Sequence, residues 1–449
     1  MIYILYDILL FLAVPIVVPW YLVRHLRRGR LRKGLGERLG CIASEKLDVL
    51  EDSSPIWVHA VSVGEVMAAK PLLKALKTRW PDRRIVVSTV TETGRKIADG
   101  VAEADLRIFF PFDFGFAVKG ALDAIRPSLI VITETEIWPN FLRHSRRRGI
   151  PVVMANGRIS DKSFSGYLRF SWLFRRVLDN FAAFCMQTGE DAARIISLGA
   201  PKDRVHVVMN LKYDIPVMIF PEERKAEIRA RYRIPHGIPI LTAGSTHQGE
   251  NEAVIRACLA LKEGARKFFL VIAPRHPERS GEVANLLTEA GIPFARRSGL
   301  GNGKEWFHPG EALLVDTVGE LMDLYSISDL AFVGGSLVPK GGHNVLEPAS
   351  RGVPVLFGPH MNNFREIAAR ILECGGGAIV DDPAMLAQIF RELLDSPTTR
   401  KEMGGRGAEL LVANSGSTGR HMAVISALLS GQESSEQTGK SVLGESVDA

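Results

Sequence analysis

The stretch IWVHAVSVGEV, residues 56–66, sets the pattern on which the rest of the chain is built. Its apolar run from Ile56 to Val61 has the length of a buried strand, and the residues after it are typical of a helix start. Ser62-x-x-Glu65 fits a capping box, in which Glu65 only accepts a backbone N–H. Gly64, however, costs ~1 kcal/mol in a helix relative to alanine. A ligand that approaches the backbone there would explain the glycine, and Glu65 would then be placed to act as a general base.

The same alternation of short apolar runs and helical segments recurs along the chain. Candidate strands begin near Ile56, Arg84, Leu106, Leu129, Pro151, Ala183 and Val205, and again near Pro239, Lys267, Ile292, Ala312, Asp329, Val353 and Gly376. Continuous Val/Ile runs separated by helices predict parallel sheets covered on both faces. We therefore expect an α/β protein with two doubly wound domains that face each other across a central cleft.

The length and the proline distribution predict the domain boundaries. The chain has 449 residues, too many for one core, with 46% hydrophobic and 24% charged residues. Prolines accumulate between Tyr213 and Pro239, where the apolar rhythm fails. We expect a first domain over 39–215, a linker over 216–238, a second domain over 239–430, and a disordered polar tail over 431–449.

The first 38 residues are typical of a membrane anchor. Residues 2–23 are apolar except for Asp7, and seven Lys or Arg follow between Arg24 and Arg38. A bilayer span needs ~20 apolar residues, and the charges behind the run predict that the body of the protein stays on the cytoplasmic side. A kinked helix lying on the membrane surface is the alternative. Nucleic acid is disfavoured because the basic run abuts an apolar segment without interleaved aromatics. Four scattered cysteines indicate a reducing compartment.

The segment from Phe332 to Pro359 has the character of a phosphate-binding loop. Its strand ends in Gly334-Gly335-Ser336, a second glycine pair stands at Gly341-Gly342, and a helix is expected to open near His343-Asn344. Backbone N–H groups at such a helix start bind phosphate, and Glu347 could accept hydrogen bonds from a ribose. Ordinary turn glycines and a first-turn acid are the plainer interpretation. The segment matches neither the dinucleotide fingerprint nor a Walker loop, so NAD binding and ATP hydrolysis are not indicated.

Other strand ends carry charged residues that could meet a ligand. Pro274-Arg275-His276 ends a strand in the second half, where Arg275 could fork onto phosphate oxygens or form a surface ion pair. The Gly/Ser loop from Ala243 to Asn251 and the helix start Val318-Gly319-Glu320 are expected at the same edge. In the first half, Glu134-Thr135-Glu136 places two carboxylates within three residues. Lys212 lies near the domain junction, and Arg158 and Lys162 could meet an anionic acceptor.

Eight motifs in order give the chain a family resemblance. They are HAVSVGE, TETEIWPN, NGRIS, NLKYD, AGSTHQGE, PRHPER, GGSLVPKGGHNVLEPA and GPHMNNF. Together they resemble 3-deoxy-D-manno-octulosonic acid (Kdo) transferases, membrane-associated glycosyltransferases of lipopolysaccharide assembly, from the N-terminal segment to about residue 425. The resemblance implies a GT-B fold, with the acceptor at the first domain and the nucleotide sugar at the second. It also implies CMP-Kdo as donor, a lipid A precursor such as lipid IV-A as acceptor, inverting transfer without a bound metal, and a place at the cytoplasmic face of the inner membrane.

The resemblance also implies roles for individual residues. Glu65 matches the general base, and Glu136 and Lys212 match positions that stabilise the transition state. Contacts to CMP are implied for Pro274, Arg275, Val318, Gly319, Glu320, Asn344, Val345, Leu346 and Glu347. Arg275 and the helix start at Gly341–Asn344 would stabilise the leaving CMP, and Lys212 would meet the Kdo carboxylate. The chain departs from the family pattern at one position. The family has a glycine directly before the NLK motif, and this chain has Met209 there.

Two other functions are compatible with these patterns. A GT-B transferase could move a hexose from a UDP-sugar to a lipid, which turnover with different donors would separate from Kdo transfer. A membrane-tethered binding protein could keep the fold without catalysis, but both Glu65 and Glu136 are present. A dehydrogenase is disfavoured by the missing dinucleotide fingerprint.

Overall fold

The chain folds into two compact units, each built on one parallel sheet. The computed structural model describes residues 2–26, 34–51, 53–263, 267–301 and 306–444. The first unit comprises Met1–Asp214 and Gly416–Ala449, and the second comprises Ile215–Ser415. All fourteen strand segments expected from the sequence are present, and every strand pairing within the two sheets is parallel.

The sheet of the first unit has seven strands in the order β3-β2-β1-β4-β5-β6-β7. They are β1 Ile56–His59, β2 Ile85–Thr89, β3 Leu106–Phe109, β4 Leu129–Thr133, β5 Val152–Gly157, β6 Ala183–Met186 and β7 Val205–Val207. Every residue of β1, β2, β4, β5 and β6 is buried, because helices cover both faces of the sheet.

Eleven α-helices of the described chain belong to the first unit. They are α1 Ile2–Leu26, α2 Leu35–Arg38, α3 Ser44–Leu47, α4 Val63–Arg79, α5 Glu92–Asp99, α6 Gly115–Ile125, α7 Pro139–Arg147, α8 Asp161–Leu168, α9 Ser171–Leu178, α10 Gly189–Ser197 and α19 Ser417–Gly444. A short 3₁₀ helix spans Leu211–Tyr213.

The second unit repeats the plan with the order β10-β11-β9-β8-β12-β13-β14. Its strands are β8 Ile240–Thr246, β9 Phe269–Pro274, β10 Phe294–Arg296, β11 Ala312–Leu314, β12 Leu330–Val333, β13 Val355–Phe357 and β14 Gly377–Ile379. Its helices are α11 Glu222–Tyr232, α12 Glu250–Glu263, α13 Ser280–Glu289, α14 Leu321–Ser326, α15 Leu346–Ala349, α16 Arg365–Glu373, α17 Pro383–Asp395 and α18 Pro397–Asn414.

The expected linker over 216–238 is instead part of the second domain. Helix α11 lies within it, and Ile228, Tyr232 and Ile234 are buried in the core of that domain beside Phe269. The polar surface of this short helix hides its two buried residues, Ile228 and Tyr232, in a sequence pattern, so the prolines alone suggested a linker.

The C-terminal segment also differs from the prediction. The second domain ends at Ser415 rather than at 430, and α19 packs Ile425 and Leu429 into the core of the first domain. The segment over 431–449, expected to be disordered, continues α19 to Gly444, and residues 445–449 lie outside the described part. Periodicity predicts a helix but cannot tell which of two similar sheets it covers.

The apolar N-terminal segment forms α1, which is fastened to the first domain by polar contacts. Asn140 Nδ2 donates to Asp7 Oδ1 at 2.6 Å, and the Tyr6 hydroxyl donates to Asp113 Oδ2 at 2.9 Å. Burial raises the pKa of Asp113 to about 7. Among the described helices, none combines the length and apolar character that crossing a membrane requires. Residues 27–33 of the expected basic flank lie outside the described part.

Candidate active site

Each sheet has one point at which the strand order reverses, and the unusual residues of the chain gather there. In the first sheet the reversal lies between β1 and β4, and in the second between β8 and β12. Doubly wound sheets bind ligands outside the carboxyl ends of the strands at this point. Glu65 lies in the first turn of α4, the helix that follows β1, and the loop after β4 carries Glu134 and Glu136.

Glu65 is buried in the first turn of α4 and is held by three hydrogen bonds. Its Oε2 accepts from the backbone N–H of Val61 at 2.8 Å and from the Thr133 hydroxyl at 3.3 Å. Its Oε1 accepts from the Ser62 hydroxyl at 2.9 Å. The Ser62 side chain makes no capping bond to the helix, and Glu65 accepts from the Val61 N–H rather than from the Ser62 N–H, so neither bond of the expected capping box is formed. The Thr133 contact joins β4 to the loop after β1, across the point of reversal.

Three carboxyl groups act on one another at this edge of the sheet. Burial raises the pKa of Glu65, the charge of Glu134 raises it further, and the hydrogen bonds from Val61, Ser62 and Thr133 oppose the shift. Burial together with the charges of Glu65 and Glu134 raises the pKa of Glu136 to about 7. No described residue donates a hydrogen bond to Glu136.

These environments separate two roles. Hydrogen bonds to a carboxylate favour its charged form, whereas an unsupported carboxyl beside like charges holds its proton. The hydrogen bonds at Glu65 therefore support its charged form, whereas Glu136, whose pKa is about 7, has no such donor among the described residues. Two acids in such different environments at one site are suited to acid–base chemistry.

Strained backbone marks the same edge of the sheets. Glu134, Asn156, Met209 and Ser245, at or just beyond the ends of strands, adopt left-handed backbone with φ between 55° and 67°. Non-glycine residues in this region cost on the order of 1–3 kcal/mol each and cluster at functional sites. The strain supports the location of the site independently of the charges.

The loop that carries Lys212 is held by neighbours of the first domain. The Lys212 N–H donates to Asn210 Oδ1 at 2.9 Å, and the Leu211 N–H donates to Asn156 Oδ1 at 3.0 Å. Met209 has φ 67°, the conformation that a glycine adopts readily, so the departure from the family pattern changes the residue and keeps the turn.

The NGRIS loop lies beside the loop that carries the two glutamates. The Arg158 N–H donates to Thr135 Oγ1 at 2.9 Å, and the Thr135 hydroxyl in turn donates to the Arg158 carbonyl. Thr135 stands between Glu134 and Glu136 in sequence, so this pair joins the two loops. The side chain of Lys162 lies outside the described part.

The glycine loop after β12 is arranged differently from the sequence-based expectation. Its backbone N–H groups at Gly335, Ser336 and Leu337 donate to the Glu250 carboxylate at 2.7, 2.8 and 2.9 Å. Glu250 is fully buried at the start of α12 and also accepts from the His247 N–H at 2.9 Å. A carboxylate of the protein itself thus takes up the N–H groups at the first glycine pair of the loop.

The helix expected to open near His343-Asn344 begins at Leu346 and has only four residues. Asn344 Oδ1 accepts from the Leu346 N–H at 3.2 Å, and Pro348 in the next turn limits the backbone hydrogen bonds that can extend the helix. A helix this short adds little dipole to the N–H groups at its start. The Gly341–Asn344 segment is therefore a loop rather than a helix terminus.

Two histidines bridge the point of reversal in the second sheet. His247 follows β8, and His343 lies in the loop after β12. Their Nε2 atoms are 2.9 Å apart, and with ring centroids separated by 5.2 Å and planes within 6° the two rings meet end to end in nearly one plane. His276, after β9, has its ring centroid 5.8 Å from that of His247. Among the described residues, no group of three or more His, Cys, Asp or Glu is placed to hold a metal ion.

Comparisons with known proteins place the chain in a family. The family model of 3-deoxy-D-manno-octulosonic-acid transferases (kdotransferases) matches residues 33–215. The 3-deoxy-D-manno-octulosonic acid transferase of Haemophilus influenzae is 32% identical over 422 residues, which cover 94% of this chain and 97% of that protein. The chain belongs to the Kdo transferase family. The transferase of Chlamydophila psittaci is likewise 32% identical, over 91% of this chain and 92% of its own.

The Kdo transferase family membership confirms the resemblance stated from the motifs and makes the chain a glycosyltransferase. A solved glycosyltransferase structure from Rickettsia africae is 15% identical, covers 84% of this chain and 99% of its own, and has a TM-score of 0.52. This similarity is one of fold, and it agrees with the two parallel sheets expected for a GT-B protein.

The residues that the Kdo transferase resemblance assigns to CMP fall into two groups. The first group is Arg275, Asn344 and Glu347, with Pro274 directly before Arg275. Burial raises the pKa of the Glu347 carboxyl, and the charge of Arg275 opposes this rise. Asn344 Nδ2 lies 3.4 Å from Glu347 Oε1. Val345 and Leu346 are fully buried, so neither is exposed to a ligand in this structure.

The Val318–Glu320 segment forms the other group. Val318 is 85% exposed, and Gly319 has φ 91°, which favours glycine. Glu320 is held by Arg297 at 2.6 Å and by the Thr317 hydroxyl at 3.2 Å. The structure thus gives Glu320 partners within the protein and leaves Val318 at the surface.

Sequence reasoning missed the contacts of Thr133 in the first domain and of Glu250, His247 and His343 in the second. Each residue stands in or beside a motif that was singled out, and each lies at a strand end or in the segment that follows it. The reversal of strand order would have pointed to these residues, but the order of the strands is known only from the structure.

Proposed function

We propose that this protein is an inverting glycosyltransferase that moves Kdo from CMP-Kdo to a lipid A precursor such as lipid IV-A. Family membership supports Kdo as the transferred sugar. The observation that carries the proposal is the set of three glutamates at the point of reversal of the first sheet, in which Glu65 is held by hydrogen bonds and burial and like charges raise the pKa of Glu136 to about 7.

In the proposed step, Glu65 acts as the base for a hydroxyl group of the acceptor. The hydroxyl oxygen forms a bond to the anomeric carbon, its proton passes to Glu65, and the bond from that carbon to the CMP phosphate oxygen breaks with its electron pair. Oε1 of Glu65 accepts a single hydrogen bond, from Ser62, and so retains a lone pair for the proton. The three donors that anchor Glu65 keep the carboxylate charged and in place.

Positive groups stabilise the leaving cytidylate and the Kdo carboxylate in this proposal. Arg275 is exposed beyond β9 and acts electrostatically on Glu347 and His343. A guanidinium in this position suits a phosphate, and Lys212 suits the Kdo carboxylate. The proposed reaction needs no bound metal, and we expect turnover to persist in excess EDTA.

We also propose that the protein works at the cytoplasmic face of the inner membrane through α1. Exposed apolar side chains line one side of this helix at Ile4, Leu5, Ile8, Leu9, Phe11 and Leu12. A depression of about 1440 Å³ beside Tyr3 is lined by Arg143, Arg146, Arg147, Arg175 and Arg176. Apolar residues flanked by cations are suited to an anionic lipid surface.

Vesicle binding tests this location. Sedimentation with phosphatidylglycerol-containing vesicles should retain the native protein, and the Leu9→Glu/Leu12→Glu variant should lose most of the binding. Val412→Glu, at an exposed position of the second domain, serves as the control. Equal binding of both variants would remove α1 from the membrane contact.

Product analysis tests the reaction itself. Mass spectrometry should show the addition of Kdo when the purified protein is given lipid IV-A and CMP-Kdo, and no product when UDP-hexoses replace the donor. Product formation with a UDP-sugar alone would favour the hexosyltransferase alternative. A protein that binds CMP and forms no product from any donor would be a binding protein.

A further inference from the structure

The paired imidazoles of His247 and His343 form an unusual contact at the second point of strand reversal. A distance of 2.9 Å between two Nε2 atoms requires that one nitrogen carries a proton and the other accepts it. Two neutral rings satisfy this requirement, and so does a single imidazolium that donates to a neutral ring. The pair can therefore gain one proton without breaking its hydrogen bond.

The surroundings keep this pair neutral in the free protein. Burial lowers the pKa of both histidines, that of His343 to about 4. The positive groups that face the pair are Arg275, beyond β9, and Lys340, in the loop after β12, and the imidazole of His276 also faces it. The acidic group that faces it is Glu250, whose charge raises the pKa of His247.

The position of Glu250 also limits where an anion can bind at this edge of the second sheet. Its carboxylate accepts the N–H groups of Gly335, Ser336 and Leu337, so the glycine loop has no donors there for a phosphate. The positive groups at this edge are then Arg275 and Lys340. The two imidazoles stand in the segments that follow β8 and β12. Placing a negative charge beside these groups favours the protonated form of the pair.

We infer that His247 and His343, together with Arg275, bind the phosphate group of the nucleotide, and that the histidine pair takes up one proton when it does so. The inference rests on the proposed function, since it takes the nucleotide to be cytidylate bound at the second domain. The uptake is a protonation only: free protein, CMP and one proton give the complex, with an imidazolium that donates to the neighbouring ring. Departure of the nucleotide would return the proton.

Calorimetric titration of the full-length protein with CMP tests the inference. Measurements at pH 6.0 to 8.0, in pairs of buffers with different ionisation enthalpies, give the number of protons bound. We expect uptake that approaches one proton per CMP at the acidic end and an affinity that falls by on the order of 3- to 10-fold from pH 6 to pH 8. The second ionisation of the CMP phosphate, near pH 6, acts in the opposite direction.

Substitution of either histidine tests whether the pair is the group that takes up the proton. His343→Gln and His247→Gln should each abolish the uptake, so that affinity is level or rises with pH. His308→Gln changes an exposed imidazole ahead of β11, at the opposite edge of the same sheet, and should behave as the native protein does.

Each outcome bears on one claim. CMP binding without proton uptake, or uptake that survives in both variants, overturns the inference and leaves the proposed function standing. Failure of the native protein to bind CMP removes the proposed donor and the inference with it. Binding of cytidine as tightly as CMP would show that the phosphate is not the group recognised.

Discussion

At the scale of single residues, Glu136 links the chemistry of the site to stability. Its pKa in the folded protein is about 7, above the ordinary value, because of burial and the charges of Glu65 and Glu134. A raised carboxyl pKa gives stability that is present at acidic pH and is lost as pH rises through about 7. Keeping this carboxyl group in the site therefore lowers the stability of the folded protein at alkaline pH, as expected where function and stability compete.

Replacing Glu136 should therefore stabilise the protein in a pH-dependent way. We expect the free energy of unfolding of Glu136→Gln to exceed that of the native protein by about 1–2 kcal/mol at pH 8, after allowance for solvent screening, and to match it at pH ~4, below the ordinary pKa of the carboxyl group. Transfer activity should fall in the same variant. Urea unfolding at the two pH values measures the difference, with the exposed Glu45→Gln as control. An equal shift at both pH values would contradict the account.

Met209 offers a test of the turn ahead of Lys212. Its left-handed backbone favours glycine, whereas its sulfur lies 2.9 Å from Arg420 Nη2. We expect Met209→Gly to change the free energy of unfolding by less than about 1 kcal/mol, because relief of strain offsets the lost contact and the added freedom of the unfolded chain. Met209→Val should cost more than about 2 kcal/mol, since a β-branched residue is poorly accommodated at positive φ. Similar stabilities for the two variants would show that the turn can relax.

At the scale of elements, α19 supports the site from outside the sheet. His421 is fully buried, and its Nε2 accepts the Asn156 N–H at 3.0 Å. Asn156 in turn accepts the Leu211 N–H, and the Ser417 hydroxyl donates to the Met209 carbonyl at 2.9 Å. A helix at the C-terminus therefore positions the loop that carries Lys212.

Removal of the His421 side chain should weaken both the fold and the site. His421→Ala leaves the Asn156 N–H without its acceptor and opens a cavity, with an expected cost of about 2–4 kcal/mol at pH 7. Burial lowers the pKa of His421 to about 4, so its contribution is complete above pH ~6.5 and is lost as pH falls towards 4. Thermal unfolding at pH 7 and pH 4.5 should show a smaller penalty at the lower pH. Ala423→Ser, on the exposed side of α19, is the control, and a pH-independent penalty would contradict the assignment.

At the scale of the whole molecule, the sequence predicted the architecture well and the contacts of the site less well. All fourteen strands lie where short apolar runs were found. The signal is strongest in the central strands, because a parallel strand buried on both faces must be apolar throughout. Glu65, Glu134 and Glu136 were recognised because charged residues are conspicuous at strand ends. The occupation of the glycine loop by Glu250, and the packing of α19 on the first domain, depend on contacts between distant segments that periodicity does not encode.

Each domain has its own hydrophobic core, so a ligand that binds one domain should stabilise chiefly that domain. CMP at 100 times its dissociation constant should stabilise the second domain by about 2.7 kcal/mol. Hydrogen exchange of the intact protein should then slow in β8, β9 and β12 and stay unchanged in β1 and β4. Equal protection of both sheets would contradict the assignment of the nucleotide to the second domain.

The rate of Kdo transfer by Glu65→Gln tests the central claim most directly. The amide keeps the size of the side chain and can still accept the Val61 N–H, so the fold and CMP affinity should be retained, while the proton can no longer be taken up. The account predicts that single-turnover transfer from CMP-Kdo to lipid IV-A falls by on the order of 10²- to 10⁴-fold relative to the native protein. Transfer at the native rate would show that Glu65 only anchors the start of α4.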